Sequence, residues 1–413
     1  MGRGGIGSYV RVMAKILAAR GHQVHVLSCA EDQERADYVD GCVTVHRRPV
    51  IRGPVPSRIR RATFVRRSRV SLSCWVEFRR LGLEADVVEA PEWMAEGLLL
   101  SALSGVPSVV TLHGPLLALV SARGREPRWP ERVSIRMERA AVRRADLVTA
   151  PSRLLVEDLI QRGWLRADDV RIVRNPVDSA QWVSCRPVTE TDPVILVVGR
   201  VEAVKNPEVV LRAAASLTPS VPGVRVVFLG RSSGMKDGVR YEDWIRSLAR
   251  ELRVDSLMMG EVDPEILHDW YSRARVVVVP SRFDNFPTVA LEAMAAGRPV
   301  VCSDRTGVAD LIGPTEAGAV FTSGDHRELA AKLVPYLRDA QLAARSGTAG
   351  RRLVENQCSP EQVAKAREQC YAEAIERRFR GASLRARSSS ARTAMTENQR
   401  RRFGARHEAA DAR

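Results

Sequence analysis

The stretch ARVVVVPSRFDNFPTVALEAMAAGRPVVCSD, residues 274–304, holds the pattern that decides the fold. Its four consecutive valines predict a strand buried on both faces, because a half-exposed strand would alternate apolar and polar residues. Pro287 suits the first turn of a helix, and TVALEAMAAG is then typical of a short helix that Gly297 ends. The apolar run PVVC follows at once. Strand, helix and strand in succession predict a parallel sheet covered by helices.

The same alternation extends along the chain on both sides of this stretch. Short β-branched runs that end near Gly, Pro, Ser or Asn occur at 22–29, 85–91, 107–114, 145–152 and 170–178, and again at 193–200, 224–231, 255–262, 274–281 and 298–304. Helical patterns separate the first group, at 7–20, 93–104, 131–144 and 152–162. Two Rossmann-like, doubly wound α/β domains in tandem are the simplest architecture. Open parallel sheets bind ligands at the carboxyl ends of their strands, so two facing domains would form a cleft.

Breaks in the pattern give the domain boundaries. The polar segment VSCRPVTETD, residues 183–192, is expected to link a first domain over 1–182 to a second domain over 193–358. One further helix, 359–379, is expected to pack back toward the first domain. Residues 380–413 are rich in Arg and Ser and almost without large apolar side chains, which predicts a disordered, solvated tail.

The beginning of the sequence departs from the doubly wound pattern. GRGGIGSY, residues 2–9, is a glycine-rich turn that opens a helix, and such a turn can aim backbone N–H groups at an anion. A tight turn without a ligand is the alternative. A strand normally precedes this turn, and none does here. Either the coding start lies upstream of Met1, or the first sheet is short by its leading, central strand.

Composition restricts the class of protein. The chain has 413 residues and a net charge of +15, with only five lysines among 64 basic residues. The basic charge favours phosphorylated substrates or anionic lipid headgroups, and no zinc-finger or other nucleic-acid motif indicates a specific nucleic-acid partner. Seven scattered cysteines are typical of reduced thiols in a cytosolic protein. No signal peptide and no long apolar segment are visible, so we expect a cytoplasmic protein without a membrane span.

Charged and polar side chains follow the predicted strands at two further points. GRVEAVKNP, residues 199–207, follows the first strand of the second domain, and its Arg200 and Lys205 are placed to hold one anionic group. Two ordinary surface charges are the alternative. His113 in TLHG lies at a strand end of the first domain. It would hydrogen-bond a substrate hydroxyl, or it would be a structural histidine.

Two acids flank the helix start in the opening stretch. The N–H groups near Thr288 and Val289 are suited to phosphate. Asp284 precedes the helix and Glu292 lies just over one turn inside it. A carboxylate would not bind phosphate, but it can accept hydrogen bonds from neighbouring sugar hydroxyls. Phosphate and sugar together indicate a nucleotide sugar. A dipole-stabilising acid and a surface glutamate are the alternative.

These motifs together resemble a known family. PSRFDNFPTVALEAMAAGRPVVCSD, VVGRVEAVKNPEVVLRAAA and GGIGSYVRVMAKILAARGHQVHVL are similar to three motifs of retaining glycosyltransferases of family 4, which have the GT-B fold. The resemblance spans about residues 2–379. It implies transfer of a sugar from a nucleoside-diphosphate sugar to an acceptor with retention at the anomeric carbon. It also implies that no cofactor and no metal are needed, because basic side chains and helix N–H groups stabilise the leaving diphosphate.

The resemblance implies a role for each matched residue. Arg200 and Lys205, after Gly199, would hold the diphosphate, Glu292 the ribose and Asp284 the donor sugar, and His113 would lie near the transferred sugar. The remaining matched positions are donor-side Asn285, Phe286, Pro287, Thr288 and Val289, and Gly4 and Gly5 of the glycine loop beside the acceptor and diphosphate. The first acid of the family's E-x7-E motif is an aspartate here, so its reach is one methylene shorter.

We therefore expect a sugar transferase for a polysaccharide, glycolipid or small glycoside. The alternatives are a catalytically impaired relative, suggested by the absent strand and Asp284, and a nucleotide-dependent oxidoreductase on the same strand–helix pattern. The basic, partly apolar stretch 47–80 would lie on the acceptor side and contact anionic lipid, or be a solvated loop and helix.

Overall fold

A computed structural model describes residues 5–31, 34–54 and 62–380. Gly4 of the glycine loop and residues 381–413 of the tail lie outside this range. In the first domain the helices are α1 Gly5–Ala19, α2 Thr63–Leu81, α3 Leu98–Leu103, α4 Leu116–Ala122, α5 Trp129–Arg144 and α6 Arg153–Gln161. The strands are β1 Val24–Ala30, β2 Ala36–Asp40, β3 Val43–Pro49, β4 Val88–Pro91, β5 Ser108–Thr111, β6 Leu147–Ala150 and β7 Val170–Ile172.

The strands of the first domain form two sheets. β4, β5, β6 and β7 are parallel and follow chain order, whereas β1 and β3 are parallel and β2 closes a hairpin onto β3. Side chains of β1 and β4 share an apolar cluster in which Leu27, Cys29 and Val88 pack together. No strand within the described residues joins β1 to β4. Within the described residues the first domain therefore has two sheets in place of the one continuous sheet of a doubly wound domain.

The second domain has one sheet of parallel strands. Its strands are β8 Val194–Val198, β9 Arg225–Leu229, β12 Ser256–Met258, β13 Val276–Val279, β14 Val300–Ser303 and β15 Gly318–Phe321, with a separate hairpin of β10 Met235–Lys236 and β11 Val239–Arg240. Its helices are α7 Pro207–Leu217, α8 Tyr241–Glu251, α9 Pro264–Arg273, α10 Thr288–Ala295, α11 Ala309–Ile312, α12 His326–Arg338 and α13 Ala340–Gln357. The spatial order β12-β9-β8-β13-β14-β15 places β8 beside β13. The valines of β13 are buried, as their continuous apolar run predicts.

Two chain segments connect the domains. A short 3-10 helix, Val188–Glu190, lies in the linker, and Val188 packs into the core of the second domain. A last helix, α14, runs over residues 360–380 and packs Val363, Cys370 and Ala374 onto the first domain. Just before α14, the carbonyl of Cys358 accepts a hydrogen bond from the N–H of Val177, which follows β7, at 2.8 Å. In the described part of the chain, no helix is long and apolar enough to cross a membrane.

Candidate functional site

The site lies where the strand order of the second domain reverses. The chain moves outward from β8 to β9 and then returns to the other side of β8 as β13, and ligands bind at the carboxyl ends of such neighbouring strands. A cavity that opens to solvent lies there. Five of the residues predicted from sequence line it together, namely Gly199, Arg200, Lys205, Asp284 and Val289. Glu292, His113 and Gly5 do not line it.

The loop after β8 brings two cations to this cavity. Gly199 has a φ of 140°, a left-handed conformation that favours glycine, and lets the chain turn directly at the strand end. The 3-10 helix Ala203–Lys205 and the Pro207 start of α7 then fix the loop. Arg200 is largely exposed and forms an ion pair with Glu202 at 3.0 Å. Lys205 points across the cavity and forms an ion pair with Asp284.

Helix α10 provides backbone donors at the same place. Pro287 precedes its first turn with an extended backbone conformation. Within the described residues the N–H groups of Thr288 and Val289 have no acceptor. Thr288 is exposed and Val289 lies at the cavity wall. Together with Lys205 and Arg200, these groups can receive an anion of two phosphates.

Glu292 lies one turn further along α10, away from the cavity wall. Its carboxylate accepts a hydrogen bond from the Tyr271 hydroxyl at 3.0 Å, and that hydroxyl also lies 3.1 Å from the carbonyl of Val289. Burial raises the pKa of Glu292, and the Tyr271 hydrogen bond opposes the rise. Tyr271 thus contacts both Glu292 and the first turn of α10. This role was not predictable from the sequence, because Tyr271 lies 21 residues before Glu292.

The loop between β13 and α10 docks on the first domain. Asn285 is buried, donates to the carbonyl of Leu112 at 3.0 Å and accepts from the Ser152 hydroxyl at 2.9 Å. The carbonyl of Phe286 accepts from the Asn175 amide at 3.1 Å, and the Phe286 ring packs under Arg174. The structure therefore places Asn285 between the domains, with its side chain bonded to the first domain, whereas Phe286 also packs into the core of the second domain. Their predicted donor contacts remain predictions.

His113 stands at the end of β5, beside this docked loop. Its backbone N–H donates to Glu92 at 2.7 Å, and the N–H of Gly114 donates to the other oxygen of the same carboxylate at 2.6 Å. Burial lowers the pKa of His113 to about 4, so the ring is neutral at pH 7. Burial raises the pKa of Glu92 to about 8, and nearby Glu138 adds to the rise. Glu92 directly follows β4, and its position at a strand end is a signal that could have identified it.

Gly5 is the first described residue of the glycine loop and starts α1. It is exposed, and a Cβ built there would meet no other atom within 4 Å, so the space beside it is open. Among the described residues, no three His, Cys, Asp or Glu side chains are grouped to hold a metal ion. Metal independence stays a prediction.

Comparison with known proteins agrees with this architecture. The family model for glycosyl transferases group 1 matches residues 183–353, and that for glycosyltransferase family 4 matches residues 3–181. A D-inositol 3-phosphate glycosyltransferase of an Arthrobacter species is 30% identical over 322 residues, covering 73% of this chain and 74% of the relative. A glycogen synthase of Mycobacterium tuberculosis is 26% identical over 388 residues, covering 89% and 91%.

Among solved structures, sucrose-phosphate synthase from Thermosynechococcus elongatus superposes with a TM-score of 0.74 at 23% identity, covering 90% of this chain and 94% of that one. This similarity shows that the fold is GT-B. The family models and the sequence relatives are those of glycosyltransferases, so the oxidoreductase alternative is wrong and the expected family is confirmed. The chain belongs to the GT-B glycosyltransferases of the glycosyl transferases group 1 family.

Proposed function

We propose that this glycosyltransferase binds a nucleoside-diphosphate sugar in the cavity between β8 and β13 and transfers the sugar with retention of anomeric configuration. One observation carries the proposal. Arg200, Lys205, Asp284 and Val289 line one cavity, and within the described residues the N–H groups of Val289 and the adjacent Thr288 have no acceptor. Such a site offers positive charge to a diphosphate and an acceptor to sugar hydroxyls within one cavity.

The proposed roles follow from the chemistry of each group. Arg200 and Lys205 stabilise the negative charge that develops on the departing diphosphate, which makes a metal ion unnecessary. Glu292 accepts from the ribose hydroxyls, and Asp284 contacts the donor sugar. His113 is neutral at pH 7, so it acts as a hydrogen-bonding partner of the transferred sugar rather than as a charged group. Gly5 is proposed to lie on the acceptor side of the cleft, and the role implied for Gly4 falls outside the described residues.

The acceptor is proposed to bind the first domain. The two relatives named above are described by different acceptors, a glycogen chain and an inositol phosphate, so neither acceptor is assigned to this chain. Both would present a hydroxyl to the anomeric carbon of the donor. A polysaccharide, glycolipid or small glycoside is the proposed product class.

The test uses purified full-length chain with a panel of UDP-, GDP- and ADP-sugars. We expect one nucleoside diphosphate to raise the melting temperature, because a ligand that binds only the folded state stabilises it by mass action. The matching donor is then incubated with glucan, polyol and lipid acceptors in the presence of EDTA. If transfer occurs with retention, proton NMR will show that the first-formed product has the same anomeric configuration as the donor. Inversion, or loss of transfer with EDTA, would refute those parts of the proposal.

A second candidate function is nucleotide binding without transfer. Two observations favour it, namely the separation of the first-domain strands into two sheets and the Lys205–Asp284 ion pair that occupies the cavity. In that case a nucleoside diphosphate raises the melting temperature, but neither transfer nor hydrolysis of the donor sugar is detected with any acceptor.

We also propose a cytoplasmic location with peripheral contact to anionic membrane. The exposed face of α2 carries Arg66, Arg79, Arg80 and the apolar Leu72. Basic and apolar side chains on one helix face favour an anionic bilayer surface. Residues 55–61 of the basic stretch lie outside the described range. Co-sedimentation with anionic vesicles that salt weakens supports this contact, and equal binding to neutral vesicles contradicts it.

A further inference from the structure

Arg367 belongs to the C-terminal helix α14, yet its side chain is fully buried in the first domain. One guanidinium nitrogen donates to the hydroxyls of Thr111 and Thr149, at 3.0 and 2.6 Å, where β5 and β6 end. The other donates to the Tyr9 hydroxyl at 2.5 Å. The helix that follows the second domain thus contributes a cation to the interior of the first.

A partly buried carboxylate completes this cluster. Glu89 of β4 lies 3.4 Å from Arg367 and accepts hydrogen bonds from Thr111 at 2.6 Å and from the Tyr371 hydroxyl. Burial alone would raise the pKa of Glu89, but Arg367 and the two hydroxyl donors bring it below its ordinary value. We call the set the Arg367 network; its members are Tyr9, Glu89, Thr111, Thr149, Arg367 and Tyr371.

Tyr9 connects the network to the cleft. Its hydroxyl lies between Glu89 at 3.3 Å and Arg367, which fixes the ring. The ring in turn contacts the His113 ring edge-on, with centroids 4.7 Å apart at an interplanar angle of 66°. His113 is therefore held at its backbone by Glu92 and at its ring by Tyr9. Tyr9 also lies on α1, one turn after the glycine loop at Gly5.

Docking of α14 alone would not need this arrangement. Val363, Cys370 and Ala374 already pack the helix on the first domain, and Arg171 pairs with Glu373 at 2.7 Å outside the network. Burying a charge in a pair is costly, and a well-packed apolar group of similar volume often serves stability as well. The cost of burying this charge therefore indicates that the Arg367 network has a role besides holding α14 on the first domain.

We propose that Arg367 is a positioning residue that acts through Tyr9 to fix the His113 ring and the start of α1 against the transferred sugar. The C-terminal helix is then part of the transfer machinery. This inference rests on the proposed role of His113 in the cleft. Displacement of a positioned group by about 1 Å can cost up to about a hundredfold in rate.

The experiment is a double-mutant cycle measured as kcat and donor KM on the full chain. We expect Tyr9→Leu to lower kcat about ten- to hundredfold while the nucleoside diphosphate Kd from calorimetry changes less than about twofold. Tyr9→Phe, which keeps the ring on His113, loses less. In a His113→Ala background, Tyr9→Leu should cost almost nothing, because the group it positions is gone. Arg367→Lys should behave like Tyr9→Phe, retaining the charge without the planar fork.

Glu373→Gln is the matched control, because it weakens a different contact of α14 with the first domain and does not touch Tyr9. It should leave kcat within about twofold. The inference is overturned if Tyr9→Leu costs the same factor with and without His113, or if Glu373→Gln lowers kcat as much as Arg367→Lys. It is also overturned if His113→Ala leaves kcat unchanged. Transfer by the unmodified chain tests the proposed function separately, and the Tyr9 variants keep the inference testable if Arg367 substitutions fail to fold.

Discussion

The side-chain amide of Asn285 in the second domain donates a hydrogen bond to the backbone carbonyl of Leu112 in the first domain, at 3.0 Å. Leu112 directly precedes His113. The loop that carries Asp284 is thus tied to the strand end that carries His113, and the Ser152 hydroxyl adds a second bond to Asn285 at 2.9 Å. One buried side chain therefore ties together the two loops to which we assign donor and acceptor roles.

Asn285→Ala is expected to weaken transfer without abolishing nucleotide binding. It removes both bonds and leaves the Leu112 carbonyl unsatisfied, at a cost of about 1–3 kcal/mol to the closed arrangement. We expect kcat to fall about tenfold or more, since that free energy corresponds to a factor of ten per 1.4 kcal/mol. Calorimetry should show an almost unchanged Kd for the nucleoside diphosphate. Small-angle scattering should show a larger radius of gyration.

Ser152→Ala, which removes one of the two bonds, should give a smaller effect of the same kind. If Asn285 contacts the donor instead, the Kd will rise with the loss of kcat and the radius of gyration will not change.

Because Asp284 pairs with Lys205, replacing Asp284 should have opposite effects on the binding of free nucleoside diphosphate and on sugar transfer. The Asp284 carboxylate forms an ion pair with Lys205. Asp284→Asn removes the competing carboxylate, so free nucleoside diphosphate should bind several-fold more tightly, as expected when one like charge leaves an anion site. Transfer should fall, because the sugar loses its carboxylate acceptor. Calorimetry and steady-state kinetics check the two signs.

Lys205→Ala is the companion variant, and it should weaken nucleoside diphosphate binding and lower kcat about a hundredfold or more. Weaker binding of the diphosphate to Asp284→Asn would contradict the competition between acid and phosphate.

In the second domain, five of the eight strands and helix α10 were predicted from local pattern. The valine run forms β13, Pro287 precedes α10 and Gly297 follows it, and β14 lies beside β13. These elements were predictable because each depends on residues that are neighbours in sequence. The hairpin of β2 and β3 was missed, although Asp40 and Gly41 between two alternating runs are a hairpin signal. β15 was missed because it begins with Gly318 and Ala319, which have low strand propensity.

The site was predictable as far as strand ends determine it. Gly199, Arg200, Lys205 and Asp284 follow adjacent strands, so parallel-sheet geometry brings them into one cavity. The direction of Asn285 was not predictable, because its partners Leu112 and Ser152 are 173 and 133 residues away in sequence. Arg367 lies 278 positions beyond Glu89, so its network appears only after the last helix has folded back.

Donor binding should weaken as the pH falls. Burial raises the pKa of Glu292, so the carboxylate becomes protonated at a higher pH than an exposed glutamate. A protonated carboxyl accepts hydrogen bonds less well, and the ribose loses its acceptor. We expect donor KM to rise on the acid side while Glu292→Gln shows a high KM that does not change in this range. Tyr271→Phe removes the opposing hydrogen bond and should shift the onset to higher pH. An identical pH profile for Glu292→Gln and the unmodified chain would contradict this assignment.

Stability of the first domain should also decrease in mild acid, through a different group. His25 Nδ1 lies 3.0 Å from His46 Nε2, while His46 Nδ1 lies 2.5 Å from Asp37. If His46 donates to Asp37, its other nitrogen accepts from His25 Nδ1–H. Partial desolvation of the largely exposed His25 ring, and then His46, lower the pKa of His25, so the effect on stability is small. Protonation therefore favours the unfolded chain, so this stability is complete above the unfolded pKa of about 6.5 and is lost as the pH falls through the lower folded pKa.

His25→Gln should flatten the decline in melting temperature below about pH 6.5, and His326→Gln in the second domain should not. Equal declines in His25→Gln and the unmodified chain would show that the histidine pair does not carry the effect.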